Sequence, residues 1–434
     1  MGVGGRITRV GGRVRGDTVT AGCSVLVGGV RPAVREGRRV LGALQRLACG
    51  GQVAEPDAAP GWEGVGAEPV GPGRLRVLLV VDDLRIGGAQ RQVTGLAVAL
   101  AARGHRVVLA CTEAGPPAAA LSGAGVRVVV LGRRRVAKRV SLGFAVRIAR
   151  LARSGRFDVV HAHVHAASMA AALAGTVTGV PVVVTEHSMA SWRGVLARAY
   201  SRPLYRRCAV VLAVSEQIRE RLCTVDRVPE GRVRVVGTAL FARPPVSRGD
   251  VPRGEAPTVG VVARLQPEKG VEHFVRAAAL VAERHPRARF AVVGGGPLRR
   301  GLEELAGTLG VADRVRFLGA RTDGPAAVAG LDVLCVPSLT EGAPLVVLEA
   351  MAAGVPVVAA AVGAIPRQLD HGRAGVLVPP ADPDALAAAL GRLVADPRER
   401  RRVGMAGRLR FDGLPDPASV TDAVEDVYRR HLRR

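Results

Sequence analysis

From residue 74 onward, short continuous apolar runs alternate with longer stretches of helical period. Leu75 to Val81 is apolar apart from Arg76, the pattern of a strand buried on both faces. Gly87-Gly88 follow, then an amphipathic pattern from Ala89 to Arg103 that Gly104 ends, then a second apolar run, Val107 to Cys111. Val126–Leu131, Asp158–His161, Val180–Thr185 and Val210–Ser215 continue the series. A Pro/Gly/Arg-rich stretch, Ala242 to Pro257, reads as a linker. The alternation then restarts with Val259–Ala263, Arg289–Val293, Val315–Leu318, Val333–Pro337, Val355–Ala360 and Gly375–Val378, and a helix, Ala418 to Leu432, closes the chain. This rhythm predicts an α/β fold of two doubly wound, mostly parallel sheets, one over 74–245 and one over 246–409. Ligands of such sheets bind at the carboxyl ends of the strands, so two domains face to face make a cleft for a site. Met1 to Gly73 shows neither period and is expected to be a disordered or mis-started leader that adds nothing to an active site.

Composition refines this picture. Among 434 residues, 48% are hydrophobic, enough for sizeable cores, and 23% are charged, which argues against global disorder. The longest uncharged run, Ala166 to Thr185, is rich in small residues and broken by Pro181, so it reads as helix, turn and strand rather than a membrane span. The net charge of +25 is unevenly spread: residues 74–245 carry 27 basic and 9 acidic groups and hold +18 of it. Aromatic residues make up 3%, too few for single-strand stacking platforms, so no nucleic-acid partner is expected. The six cysteines form no CxxC pair, which suits a reducing, cytoplasmic setting.

Several strand ends carry candidate chemistry. Gly87 and Gly88 let a ligand approach backbone N–H groups at a helix start, an arrangement suited to phosphate and equally to a plain tight turn. Arg264 and Lys269 lie five apart across a Pro/Gly loop after a strand, where they can grip both phosphates of a diphosphate. Lys269 is one of two lysines among 62 basic residues. Gly294-Gly295-Gly296 follows another strand and offers close backbone approach. The most informative segment runs from Pro337 to Met351: strand, Gly-containing loop, then a helix whose N-terminus can hold a phosphate, with Glu341 before the helix and Glu349 inside it. Eight residues at ~1.5 Å rise separate these carboxylates by roughly 10–12 Å, beyond the ~5–9.5 Å of a hydrolytic pair. Each carboxylate is therefore expected to accept hydroxyl hydrogen bonds, one from a sugar and one from a ribose. His161, His163 and His165 lack a nearby Asp, Glu or Cys to complete a metal site, so no metal is assigned. His187, at a strand end in Thr185-Glu186-His187, is the candidate for a polar catalytic contact. Asp382-Pro383-Asp384 reads as a helix cap rather than a metal motif.

In their order, Gly87-Gly88-Ala89-Gln90-Arg91, Asp158 to His163, Thr185-Glu186-His187, Ala213 to Glu216, Arg264 with Lys269-Gly270, and Glu341 with Glu349 resemble glycosyltransferase family four, over about 74–430. The resemblance implies the GT-B fold, with 410–434 crossing back to the first domain, and a retaining, metal-independent transfer from a nucleotide-sugar donor with no other cofactor. It implies that Arg264 and Lys269 bind the donor diphosphate, Glu349 the ribose hydroxyls and Glu341 the transferred sugar. Gly87, Gly88 and Gly294 would line the donor site, and His187 would lie near the reacting carbon. The acceptor would be a glycan, a lipid-linked molecule or a small molecule. The chain departs from the family in Val236-Gly237-Thr238 and in Gly363-Ala364-Ile365-Pro366-Arg367, where a base stands for the usual acid.

Two other readings remain open at this level. A sugar-nucleotide epimerase or a silent homologue shares the fold and is separated by product analysis. A basic nucleic-acid-binding protein predicts sequence-independent DNA binding with a steep salt slope and no donor binding, and the diphosphate motif set argues against it. The basic residues suggest one further partner. From Arg133 to Arg156 there are nine basic groups and no acid, with Arg147, Arg150 and Arg153 on one helix face. A second cluster, Arg193, Arg198, Arg202, Arg206 and Arg207, surrounds Trp192, Tyr200 and Tyr205. Basic faces mixed with apolar side chains suit an anionic membrane surface, which would make the protein peripheral at the inner face.

Overall fold

The computed structural model describes residues 71–132, 141–189, 193–242 and 257–432. The expected leader up to residue 70, most of the linker, the basic run 133–140 and Trp192 lie outside the described residues.

Seven strands form the first sheet: β1 (Arg76–Val80), β2 (Arg106–Cys111), β3 (Arg127–Val130), β4 (Val159–His163), β5 (Val182–Glu186), β6 (Val210–Ala213) and β7 (Val233–Val235). Their spatial order is β3-β2-β1-β4-β5-β6-β7, and neighbouring strands are parallel. The helices between them are α1 (Gly88–Ala102), α2 (Pro117–Gly123), α3 (Leu142–Ser154), α4 (His165–Thr178), α5 (Val195–Tyr205) and α6 (Glu216–Thr224).

The second sheet has six strands, β8 (Thr258–Val262), β9 (Arg289–Val293), β10 (Val315–Gly319), β11 (Val333–Val336), β12 (Val357–Ala360) and β13 (Val376–Val378), again parallel and in the order β10-β9-β8-β11-β12-β13. Its helices are α7 (Val271–Arg284), α8 (Arg299–Thr308), α9 (Gly324–Ala329), α10 (Leu345–Ala353), α11 (Ile365–Gln368), α12 (Pro383–Ala395) and α13 (Pro397–Asp412). The last helix, α14 (Pro417–Leu432), returns to the first domain, where Val424, Val427 and Tyr428 join the core beneath α1 and β1.

The apolar runs become strands because both faces are covered: Val77, Leu78, Leu79 and Val80 are all fully buried, and the pairs on either side of each sheet feed separate cores. The strand order reverses direction between β1 and β4, and again between β8 and β11. Loops leaving the carboxyl ends of adjacent strands diverge at such a switch point and open a crevice. The segments 81–87, 164–165, 263–270 and 337–344 leave these four strands.

The helix boundaries follow local chemistry. Ser141 caps α3 by accepting from the Phe144 N–H, Ser215 caps α6 by accepting from Ile218, and Asp382 caps α12 by accepting from Ala385. The Asp382-Pro383-Asp384 sequence is thus a helix start. Among the described residues no helix is long and apolar enough to cross a membrane.

The structure takes two residues, Arg193 and Tyr205, out of the second basic cluster. Arg193 is buried, bridging Glu186 and Asp226, and Tyr205 is fully buried against the same acids. A guanidinium and a phenol locked between core carboxylates present nothing to lipid. On α3, the apolar residues Phe144, Ile148 and Leu151 are buried in the core, which leaves Arg147, Arg153 and Arg156 exposed without an apolar face to insert.

Candidate active site

In the second domain the site begins where β8 ends. The segment Ala263–Gln266 lies against the loop after β9: Ala263 N–H donates to the Val293 carbonyl and Leu265 N–H to the Gly295 carbonyl, both at 2.9 Å. Gly294 has φ of 147°, and a Cβ there would stand 1.8 Å from the Ala263 carbonyl oxygen. Glycine at 294 therefore has a packing reason: it lets the loop bearing Arg264 lie flat on its neighbour. Arg264 itself is exposed and reaches Glu268 at 3.4 Å. A 3-10 turn, Pro267–Lys269, swings Lys269 back towards β11, where Nζ donates to Glu341 Oε1 at 2.6 Å.

Glu341 also accepts from Ser338 Oγ at 2.8 Å, and the Leu339 N–H donates to the Glu268 carbonyl at 3.0 Å. The two loops are thereby stitched together at the mouth of the crevice. Pro344 opens α10, whose first turn has neither a side-chain cap nor an acidic residue. Its N–H groups and the positive end of its dipole are available to an anion. Glu349 lies one turn further in and is buried. Burial pushes its carboxyl above the usual range, and the Arg91 guanidinium, with which it forms an ion pair, opposes that rise.

Arg91 comes from the first domain. It lies in the first turn of α1, directly after Gly87 and Gly88. Gly88 faces the start of α10, with Leu345 Cδ1 3.9 Å from where its Cβ would be. A side chain at 88 would project into that narrow gap between the domains.

His187 follows β5 at the same crevice. Its Nε2 shares a hydrogen with His163 Nδ1 at 3.0 Å. His161, one layer deeper, bonds Tyr428 Oη at 2.6 Å and Thr185 Oγ1 at 2.7 Å. Burial holds the His187 and His161 imidazoles neutral, pushing them down to about 4 and about 3, and His163 falls well below its ordinary value for the same reason. His163 Nε2 has no protein partner, and His163 lines a cavity of about 30 Å³, room enough for water. Between His163 and His165, Val164 adopts φ 69° and ψ 151°, a conformation that costs a β-branched residue about 1–3 kcal/mol. Asp82, at the end of β1, accepts from the Ala167 N–H at 2.6 Å and anchors that turn. Among the described residues no group of three or more His, Cys, Asp or Glu has a metal-holding arrangement.

The domains also meet at Gly342, where a Cβ would lie 2.2 Å from the His187 carbonyl oxygen and 3.1 Å from Ile218 Cδ1. The crevice thus gathers Gly88 and His187 from one side and Lys269, Glu341 and Glu349 from the other. Gly87 precedes Gly88 in extended backbone, φ −176°, which any residue adopts. Three residues of this region escaped the sequence reading. Arg91 and Gly342 stood inside the quoted motifs but signalled nothing by themselves, because their partners across the cleft are more than 120 residues away. Arg193 was read as surface. It holds Glu186, the neighbour of His187, with Nη2 2.7 Å from the carboxylate. Burial pushes Glu186 up, and Arg193 together with His165, Arg221 and the Tyr205 hydroxyl outweighs it and holds the carboxyl below the usual range.

Comparison with known proteins places this geometry in context. A family model described as Glycosyltransferase Family 4 matches residues 86–240, and one described as Glycosyl transferases group 1 matches residues 247–410. The D-inositol 3-phosphate glycosyltransferase of Actinosynnema mirum is 34% identical over 393 residues, covering 80% of this chain and 94% of that protein. The GDP-mannose-dependent alpha-(1-6)-phosphatidylinositol monomannoside mannosyltransferase of Mycolicibacterium smegmatis is 36% identical over 233 residues, covering 49% of this chain and 60% of that protein. With several curated relatives the chain matches less than two thirds of their length, between 60% and 65%. Among solved structures, Anabaena HepE in complex with UDP-glucose superimposes with a TM-score of 0.71 at 20% identity, covering 81% of this chain and 99% of that one, a likeness of fold. The expected GT-B architecture of two Rossmann-like domains is therefore the observed one.

Proposed function

We propose, for a chain that belongs to the group 1 glycosyl transferases of glycosyltransferase family 4, that it moves a sugar from a nucleotide-sugar donor to a glycan, lipid-linked or small-molecule acceptor, retaining the anomeric configuration. The observation that carries this reading is the convergence of Lys269, Glu341 and buried Glu349 around the uncapped start of α10, opposite Gly88 and His187.

The chemistry follows from those positions. The donor diphosphate carries two negative charges and fits a helix N-terminus flanked by Lys269 and Arg264. Lys269 leaves its ion pair with Glu341 in part, and the freed lone pairs of Glu341 accept hydroxyls of the sugar. Glu349 accepts the ribose hydroxyls. As the glycosidic bond to phosphate lengthens, negative charge builds on the departing oxygen, and fixed cations and N–H dipoles stabilise it without reorganising. Neutral His187 lies by the sugar, where it can offer or accept one hydrogen bond but carries no charge. The acceptor attacks on the face the diphosphate leaves, so the chain supplies no nucleophile, and no divalent metal is required.

For the acceptor, the relatives' names point to inositol phosphate and to a phosphatidylinositol mannoside. The exposed arginines of the first domain, Arg147, Arg153, Arg156, Arg206 and Arg207, suit an anionic acceptor or an anionic lipid surface, bound by charge alone. On this reading the protein works at the cytoplasmic face of a membrane.

The test is a thermal-shift screen against UDP, GDP and ADP and their sugars in EDTA. A ligand at 100 times its Kd adds ~2.7 kcal/mol of stability. One base is expected to raise Tm clearly above the others. No shift with any of them removes the donor site.

A further inference from the structure

Glu349 belongs to the second domain, yet the cation beside it belongs to the first. Among the described residues Arg91 is the charged group that acts on this carboxylate. The elements packed on α10 offer no substitute. Arg408 on α13 donates to the Ala352 carbonyl, and Arg410 on the same helix to the Arg367 carbonyl. Arg367 on α11 turns outward to Glu216, 3.9 Å away in the first domain. Lys269 is engaged by Glu341. α9 and β12 carry no charged residue.

We propose that Arg91 is a positioning residue for the nucleotide ribose: reaching across the cleft, it supplies the counter-charge and the aim of the Glu349 carboxylate, so that the ribose subsite is complete only with both domains in contact. The inference rests on the glycosyltransferase reading for the identity of the ligand. Its physical basis is independent of it. A carboxylate has about four lone-pair sites, and Arg91 takes part of one oxygen, which leaves the remainder for a vicinal diol. A carboxylate deprived of its only cation in a buried setting takes up a proton instead of remaining charged. A protonated Glu349 has given up one of its acceptor sites and turns a donor towards hydroxyls. Arg91 is well placed to prevent this because it is half-exposed on a helix rather than held in the core, and because its backbone is fixed by the α1 hydrogen bond from its N–H to the Gly87 carbonyl at 3.0 Å.

The experiment is calorimetric titration of UDP and GDP onto the full chain between pH 5.5 and 8.5, for wild type, Arg91→Ala, Arg91→Lys, Glu349→Gln and the Arg91→Ala/Glu349→Gln pair. The terminal phosphate of either nucleotide itself ionises near pH ~6, so each variant is read as a ratio to wild type at the same pH. Arg91→Ala is expected to bind about 10–100-fold more weakly than wild type near pH 6, the scale of a charged hydrogen bond, and to recover towards wild type as rising pH ionises Glu349. Arg91→Lys restores the wild-type profile. In the Glu349→Gln background the Arg91→Ala change adds no further loss. Wild-type behaviour of Arg91→Ala at every pH overturns the proposal. So does a pH-independent loss of equal size in both backgrounds, which would put Arg91 on the nucleotide itself. A ligand-free arm keeps the two readings separate: the paired variant should melt above Arg91→Ala, because it removes the uncompensated carboxyl. A paired variant that melts at or below Arg91→Ala refutes the coupling. If wild type binds neither nucleotide and ADP fails as well, the glycosyltransferase reading fails while the melting comparison still decides the role of Arg91.

Discussion

At the scale of single residues, function and stability are divided between two kinds of ion pair. Lys269–Glu341 lies at the crevice and is partly solvated, so its partners can be exchanged for a ligand. Lys269→Ala is expected to weaken nucleoside diphosphate binding by about 1.5–3 kcal/mol, read by calorimetry, with the fold intact. Unchanged affinity would remove Lys269 from the donor site. Arg193 is the opposite case. It is buried with Glu186 and Asp226, and Arg221 shares Asp226. Removing one member of such a group strands the others, so Arg193→Ala is expected to cost about 3–5 kcal/mol in urea unfolding. A loss under 1 kcal/mol would mean that the acids find other partners. In the sequence Lys269 stood out by its place five residues after Arg264 in a Pro/Gly loop, whereas Arg193 was one basic side chain among several in an Arg-rich stretch. That the fold closes over Arg193 and sets it between two acids is a fact of packing, and residue spacing carries no trace of it.

At the scale of elements, the strands were legible and the partners of the helix faces were not. Arg289–Val293 is a strand in the sequence pattern and in the structure, and Val107–Cys111 differs by one residue from β2. Runs of β-branched residues buried on both faces leave little ambiguity. For α3 the period rightly separated an arginine face from an Ile148/Leu151 face, but period says only that one face is covered. The cover is the domain's own core. The β4–β5 histidines yield a prediction of their own. His161 and His187 fold as neutral imidazoles, depressed to about 3 and about 4 by burial, whereas the unfolded chain protonates near ~6.5. The unfolded state therefore binds more protons between these values. The stability they contribute is fully present above pH ~6.5 and is lost as pH falls towards 4. Tm should drop over that window, and His161→Asn should flatten the slope. A Tm independent of pH from 6.5 to 4.5 would contradict neutral burial. Tyr428→Phe removes the hydroxyl that joins α14 to His161 and is expected to cost about 1–3 kcal/mol, because the imidazole nitrogen is left unpaired.

At the scale of the whole molecule, the candidate site lies between domains. Motif order pointed to its second-domain half, since each motif sits at a strand end. The joins across the cleft, Arg91 to Glu349 and Gly342 against His187, involve residues far apart in the chain and became visible only with the domains in place. Gly342→Ala puts a methyl 2.2 Å from the His187 carbonyl oxygen, so closure must slip. A misplacement of about 1 Å costs up to ~100-fold in rate, and turnover should fall on that scale while nucleotide affinity stays within a few-fold. Equal turnover would show that the catalytic state is more open than the structure. The net charge of +25 acts at this scale as well. Binding to anionic vesicles is expected to fade as salt rises, and binding to neutral vesicles to be weak throughout, because only charge is presented. Equal binding to both kinds would contradict an electrostatic surface. The most direct test of the account is a transfer assay in EDTA with the nucleotide sugar chosen by the screen. The candidate acceptors are inositol 3-phosphate and phosphatidylinositol vesicles, with products read by mass spectrometry and by the anomeric coupling in proton NMR. The account predicts stoichiometric release of nucleoside diphosphate and a glycosylated acceptor whose anomeric configuration matches that of the donor. An inverted product, a strict requirement for divalent metal, or an epimerised nucleotide sugar with no transfer would contradict it.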